Sequence, residues 1–342
     1  MARLPRCLVT MACGLAVLLT QPWPAHAQTN VPELKVLKTL KIGGSGRWDC
    51  VLVDPDANRL YVTRSTHLQV IDCETGTVVG DIDQLQGAHG TAVVADRNLG
   101  FVTSGRENAV VMFNLKTLKV LDRIKTQPSG GQNPDAILYD PASKKVFVSC
   151  GGGDALVIDP ANPSAPSVSI PCGGKLEFGV ADDAGHVFIN NEDKSEIEVI
   201  DTTALKLTDH WPVAPAEHPT GLALDARRHR LFSTGGNQKM AMVDSQTGKL
   251  LGTVPIGRGV DGCEFDPKLG VAVCANGADG TVTVVHEDSP GKFSVVQTLP
   301  TLKSGRTIAN NPKTSQFFIP ATLPAEGDSS APFGVITIGP AN

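Results

Sequence analysis

The side chains of this chain best suited to binding ions or moving protons lie far apart in sequence, yet they recur at a fixed offset from a repeated turn. Five positions ahead of each turn stand Asp49, Thr91, Asp135, Glu177, Thr220, Asp261 and Arg306. Two positions further back stand Arg47, His89, Asn133, Lys175, His218, Gly259 and Ser304. Strand residues two apart share a face, so the two series predict stacked polar rings, one mainly acidic and one mainly basic or amide. Four carboxylates with His89 and His218 have the chemistry to hold a divalent cation. Oxygen-rich ligand sets suit Ca2+ or Mg2+, and imidazole admits Zn2+ or Cu2+. No compact spacing such as HxxxH singles out a metal. The same residues also read as a mutually neutralised, water-filled channel, with Arg47 paired to Asp49 and Lys175 to Glu177, since structural ion-pair networks resemble functional sites.

The turns that set this offset are centred on Asp54, Asp96, Asp140, Asp182, Asp225, Asp266 and Asn311, spaced by 41 to 45 residues. A second landmark follows 18 to 20 residues after each of the first six, at Asp72, Asn114, Asp159, Asp201, Asp244 and His286. A period of this length marks a repeat architecture. Each repeat reads as four short strands with tight links, the pattern of one propeller blade. The seventh repeat reaches the end of the sequence after its third strand, and residues 33–43 read like the fourth strand of the fifth repeat, residues 248–257. The expected fold is all-β, a seven-bladed β-propeller over residues 28–342 whose last blade is completed by the N-terminal strand. Ring closure removes sheet edges that would otherwise invite aggregation.

The second strands carry a further pattern: Tyr61-Val62-Thr63-Arg64, then looser forms at 101–104, 147–150, 188–191 and 232–235, with Val-Ile-Asp at 70–72, 157–159 and 199–201. This resembles the YVTN β-propeller repeat of YncE-like exported bacterial proteins, over essentially the whole chain after residue 27. The resemblance implies a periplasmic seven-bladed propeller and, for some members, binding of DNA or a protein partner. It implies no catalytic residue set. The final Asn of the signature is kept only at Asn191, and the aromatic position blurs in repeats six and seven.

Composition agrees with many short strands: 35 glycines, 24 prolines and 5% aromatic residues. A formal charge of −5 argues against a broad nucleic-acid surface, which is usually strongly basic. Arg3 and Arg6 precede an apolar run over 8–19, and Ala25-His26-Ala27 fits a signal-peptidase site. Residues 1–27 are therefore expected to be a cleaved export signal, leaving a soluble, monomeric, periplasmic or secreted protein without a transmembrane anchor. Six cysteines remain after cleavage. They allow fifteen connectivities; Cys263 and Cys274, symmetric about the turn at Lys268-Leu269, are the best-placed pair for a disulfide, the other reading being two small buried apolar residues. The absence of CxxC and CxxCH argues against covalent haem and the common structural zinc sites.

Two further features bear on function. The link from Pro320 to Pro332 in repeat seven is long, and its topology predicts a loop overhanging the channel mouth, either a lid or a surface insertion. Gly151-Gly152-Gly153-Asp154 joins two strands and reads as a blade turn, not a phosphate loop. Trp48 lies between two ring positions and is expected to face a blade interface. No G-x-S-x-G elbow is present. The leading expectation is a non-enzymatic propeller binding a protein, oligonucleotide or small ligand at the channel mouth. Arg47, His89, Lys175, His218 and Arg306 would supply the basic contacts, and Asp49, Asp135, Glu177 and Asp261 the acidic ones. The alternative is a metal-assisted hydrolase, lactonase or lyase using the same residues. An electron-transfer role would require docking to a separate redox protein.

Overall fold

In a computed structural model the chain forms seven antiparallel four-stranded sheets arranged as a seven-bladed β-propeller. The structure describes Met1 and residues 31–44, 47–325 and 332–341; the expected export signal beyond Met1 lies outside the described residues. Blades 1 to 6 each run through four consecutive strands, from Val51–Asp54 in blade 1 to Lys292–Pro300 in blade 6. Among the described residues, no helix is long and apolar enough to cross a membrane.

The periodic acids form these sheets by capping turns. Asp54 Oδ1 accepts hydrogen bonds from the amides of Asp56 and Ala57, each at 3.0 Å. Asp140, Asp225, Asp266 and Asn311 repeat the device. The second landmark is the same chemistry one hairpin later: Asp72, Asn114, Asp159, Asp201 and Asp244 accept from the amides that follow them. A short carboxylate or amide bonding the backbone two or three residues on is what makes Asp and Asn turn residues. Blade 2 departs from this. Its turn is a 3-10 segment, Ala95–Arg97, with no side-chain cap, and the pair closing its hairpin is Val94 with Leu99. Elsewhere the closing pairs are Asp54 with Arg59 and Asp140 with Lys145. Asp96 therefore stands two residues late.

The hydrophobic core is divided into seven clusters, one between each pair of adjacent blades. The aromatic position of the repeat supplies them: Tyr61, Phe101, Phe147, Phe188 and Phe232 are fully buried. Trp48 lies against Phe333 at 5.3 Å between blades 7 and 1, and Trp211 against Phe188 at 5.6 Å.

The N-terminal strand closes the ring. Leu34–Lys41 pairs antiparallel with Phe333–Pro340, outermost in blade 7. Leu34 is buried in the cluster between blades 6 and 7, and Leu40 in the cluster between blades 7 and 1. Gln297 of blade 6 grips the backbone of Leu34, accepting from its amide at 3.0 Å and donating to its carbonyl at 2.8 Å.

One expectation is corrected here, and another falls largely outside the described residues. Cys263 and Cys274 do face each other across the hairpin, but all six cysteines among the described residues are free and buried. Directly opposed strand residues hold their Cβ atoms about 4.5–5.5 Å apart, wider than the ~3.8 Å of a typical disulfide, and both thiols pack as small apolar groups between blades 5 and 6. Of the long link only the stems are described. Pro320 belongs to the strand Gln316–Thr322, and the stems Leu323, Pro324 and Pro332 line a groove with Val36, Thr39 and Pro300 on the outer strands of blades 6 and 7. Residues 326–331 lie outside the described residues. The described stems thus reach the outer strands of blades 6 and 7, and the expected overhang falls on residues outside the described ones.

Removing the closing contacts should be costly. Leu34→Ala deletes a fully buried side chain and is expected to lower unfolding free energy by about 2–4 kcal/mol, read from urea denaturation, whereas the exposed neighbour Val36→Ala should change it by less than about 0.5 kcal/mol.

Candidate functional site at the channel mouth

The ring of polar side chains exists, and a backbone irregularity creates it. In blade 2, Ala88 pairs with Ser104 but Thr91 pairs with Val102, so one extra residue is accommodated in the inner strand. The same slip occurs between Pro134 and Ile137, Leu176 and Gly179, Pro219 and Leu222, and Val260 and Cys263. The first residues within these slips are His89, Asp135, Glu177, Thr220 and Asp261. A β-bulge bends its strand and re-aims a side chain, here in five consecutive blades. Asp49 and Arg306 supply blades 1 and 7. His89 therefore occupies the ring itself, in place of Thr91, which is buried opposite Val102 and lines the channel below. Counting back from the late turn residue Asp96 had exchanged the two.

The second, basic ring is not a ring. Asn133, His218, Gly259 and Ser304 have φ of 50°, 52°, 69° and 80°, so the chain is not extended there and alternation of faces fails. His218 and Arg47 are exposed at the rim. Asp49 pairs with Arg306 and His89, and among the described residues no ion pair reaches Arg47. Lys175 does pair with Glu177, at 2.6 Å, and also with Glu192, a partner that carries no repeat signature.

Neighbouring inner strands are stitched together at the bulges. Thr103 donates to the carbonyl of Asp135 at 2.6 Å, and Thr307 to that of Asp49 at 2.7 Å. Asn190 donates to the carbonyls of Thr220 and Gly221 at 3.1 and 3.0 Å. The carbonyl of Arg306 accepts from the amides of Asp261 and Gly262. Gly90 permits this approach: a Cβ there would lie 2.9 Å from the carbonyl oxygen of Asp135.

The side chains then form a chain of charges around the mouth. Arg306 reaches Asp49 at 2.7 Å and Asp261 at 3.2 Å. His89 Nδ1 bonds Asp49 and lies 3.4 Å from Asp135 Oδ1. The hydrogen bond to Asp49 raises the pKa of His89 against the opposing effect of burial, so the imidazolium is favoured. Burial works against Arg306 as a cation, but Asp261 and Asp49 outweigh it. The acids across the mouth are under-neutralised. Burial pushes Glu177 up to about 8; Lys175 pulls it back, while Asp135 and Asp261 push it further. Burial likewise raises Asp261 to about 6 despite Arg306, and raises Asp135 despite His89. Of the two carboxylates on Lys175, Glu192 is held below its ordinary value by that ammonium and is the ionised one, although partial burial opposes it. Asp49, His89 and Asp135 also offer one ligand atom each within 4.8 Å of one another.

Below the ring the channel changes character. A cavity of about 460 Å3 begins at Cys50, one residue beyond Asp49, and runs to the turn residues Pro55, Ala95 and Pro141 on the opposite face. None of the ring residues lines it. The mouth and the channel interior are thus separate sites.

No family model matches the chain, and no curated protein matches it. Among solved structures, hydrazine synthase of Kuenenia stuttgartiensis is similar at 14% identity with a TM-score of 0.65, over 87% of this chain and 95% of that one. Matches extend to 1717 chains, so the propeller scaffold by itself selects no activity.

The raised carboxyl pKa values carry a stability consequence. Glu177 keeps its proton to about 8 when folded but loses it near 4.5 when unfolded, so the stability it contributes is complete below 4.5 and is lost as pH rises to about 8. Thermal midpoints of the wild type should fall over that interval, and Glu177→Gln should flatten the fall. Parallel profiles for the two proteins would contradict the assignment.

Proposed function

We propose that this chain is an exported, non-enzymatic binding propeller of the YVTN-repeat kind, whose channel-mouth ring takes a divalent cation or a ligand bearing one. The observation that carries this reading is the cluster of Asp49, His89 and Asp135 on three successive blades, with acids Glu177 and Asp261 left partly protonated beside it. A bound cation would replace the proton that His89 shares between two carboxylates and would relieve the mutual repulsion of the ring acids. Two carboxylates and one imidazole favour a borderline ion such as Zn2+ or Mn2+ over Ca2+. The seat is mounted on bulges tied by interblade hydrogen bonds, the rigid support that a metal site needs. The repeat resemblance supports export and partner binding, and the negative formal charge favours a cationic ligand over nucleic acid.

A second reading, metal-assisted hydrolysis of an ester or lactone, draws on Glu177: a carboxyl still protonated near neutrality beside a metal seat has the pKa of a general acid. It requires metal-dependent turnover, which the binding reading does not.

Titration calorimetry with Zn2+, Mn2+ and Ca2+ tests the proposal. One equivalent of Zn2+ or Mn2+ should bind, more tightly as pH rises past the His89 pKa, because metal and proton compete for the imidazole. His89→Ala and Asp135→Asn should each weaken it about tenfold or more, while His218→Ala should not. Equal binding by the wild type and His89→Ala would overturn it.

A further inference from the structure

Among the strand residues that line the channel cavity is a carboxyl, Glu264, that the ring chemistry does not use. At the level two residues before each hairpin-closing position, the inner strands carry Leu52, Ala92, Leu138, Val180, Ala223 and Ala309, and in blade 6 Glu264. Its register partner Val273 confirms the alignment, since Val273 stands where blade 1 has Tyr61. Glu264 lines the cavity of about 460 Å3 alongside Val51, Ile137, Phe178, Leu222 and Ile308. Among the described residues it makes no hydrogen bond or ion pair, and burial alone raises its pKa to about 8.

A lone carboxyl in an apolar cavity is expensive to keep unless something pairs with it. The other charged groups on the cavity wall have one sign: Asp54 and Asp56 stand at its turn end. No Lys, Arg or His lines the cavity. Its volume falls within the range of small-molecule pockets, which are mostly apolar with a few placed polar groups.

We propose that the channel cavity is a second binding site, for a small organic cation with an apolar body, and that Glu264 is its counter-ion. The ammonium group enters from the face carrying Pro55, Ala95 and Pro141, the apolar body packs on the strand side chains, and the ionised Glu264 accepts a charge-assisted hydrogen bond. The site is independent of the cation seat at the mouth.

Benzylammonium and cyclohexylammonium serve as probes, with benzyl alcohol as the neutral analogue, using the full chain and titration calorimetry at neutral pH. The two ammonium ions should bind with one site per chain, and benzyl alcohol at least about tenfold more weakly. Glu264→Gln, which keeps the shape, should cost about tenfold or more in ammonium affinity and should raise the apo protein's thermal midpoint at pH 8, which reports that the variant is folded. Asp135→Asn should leave ammonium binding unchanged, so loss of the mouth site and loss of this one are distinguishable. Failure of both ammonium ions to bind, equal affinity in Glu264→Gln, or loss of binding in Asp135→Asn would each overturn the proposal.

Discussion

The extra residue at the start of five of the seven inner strands is the feature on which the rest of this molecule depends. In five blades it gives the inner strand a bulge, and the residue on that bulge is turned toward the axis in place of an interblade face. The bulge also frees backbone groups that the ladder would otherwise consume. Those groups are taken up by the neighbouring blade, through Thr103, Asn190 and Thr307 and through the carbonyl of Arg306. The irregularity therefore both seats the ring chemistry and accompanies backbone bonds between several neighbouring blades.

Electrostatics at the ring follow from that geometry. Acids from blades 1, 3, 4 and 6 are brought near one another at a partly buried mouth, and only Arg306, Lys175 and His89 oppose them. Burial, with mutual repulsion added to it, raises the pKa of Asp135, Glu177 and Asp261. Asp49 takes its partners, Arg306 and His89, from the blades on either side and not from Arg47, its neighbour in sequence, whereas Lys175 pairs within its own blade with Glu177 and Glu192. Glu264 illustrates the same desolvation without any partner, deeper in an apolar channel.

Ring closure imposes a different constraint. Seven interblade clusters are possible only if the last blade is complete, and the N-terminal strand completes it by burying Leu34 and Leu40 in two different clusters.

Much of this was legible in the amino-acid order because it is local and periodic. Asp54, Asp72 and their equivalents cap turns through bonds two or three residues long, so their spacing announces the blades, and the aromatic at Tyr61 and its successors announces the interblade cores. Asp49, Asp135, Glu177, Asp261 and Arg306 were locatable for the same reason, by counting from those turns. The count failed at His89, where blade 2 replaces the capped turn with a 3-10 segment, and at Arg47 and His218, where a left-handed or loop backbone cancels strand alternation. Which charges pair, that Cys263 and Cys274 stay reduced, and that Glu264 stands alone in the channel were decided only by the closed ring. Those outcomes depend on distances between strands about forty residues or more apart, or on side-chain geometry within the packed core, and no local rule of spacing carries that information.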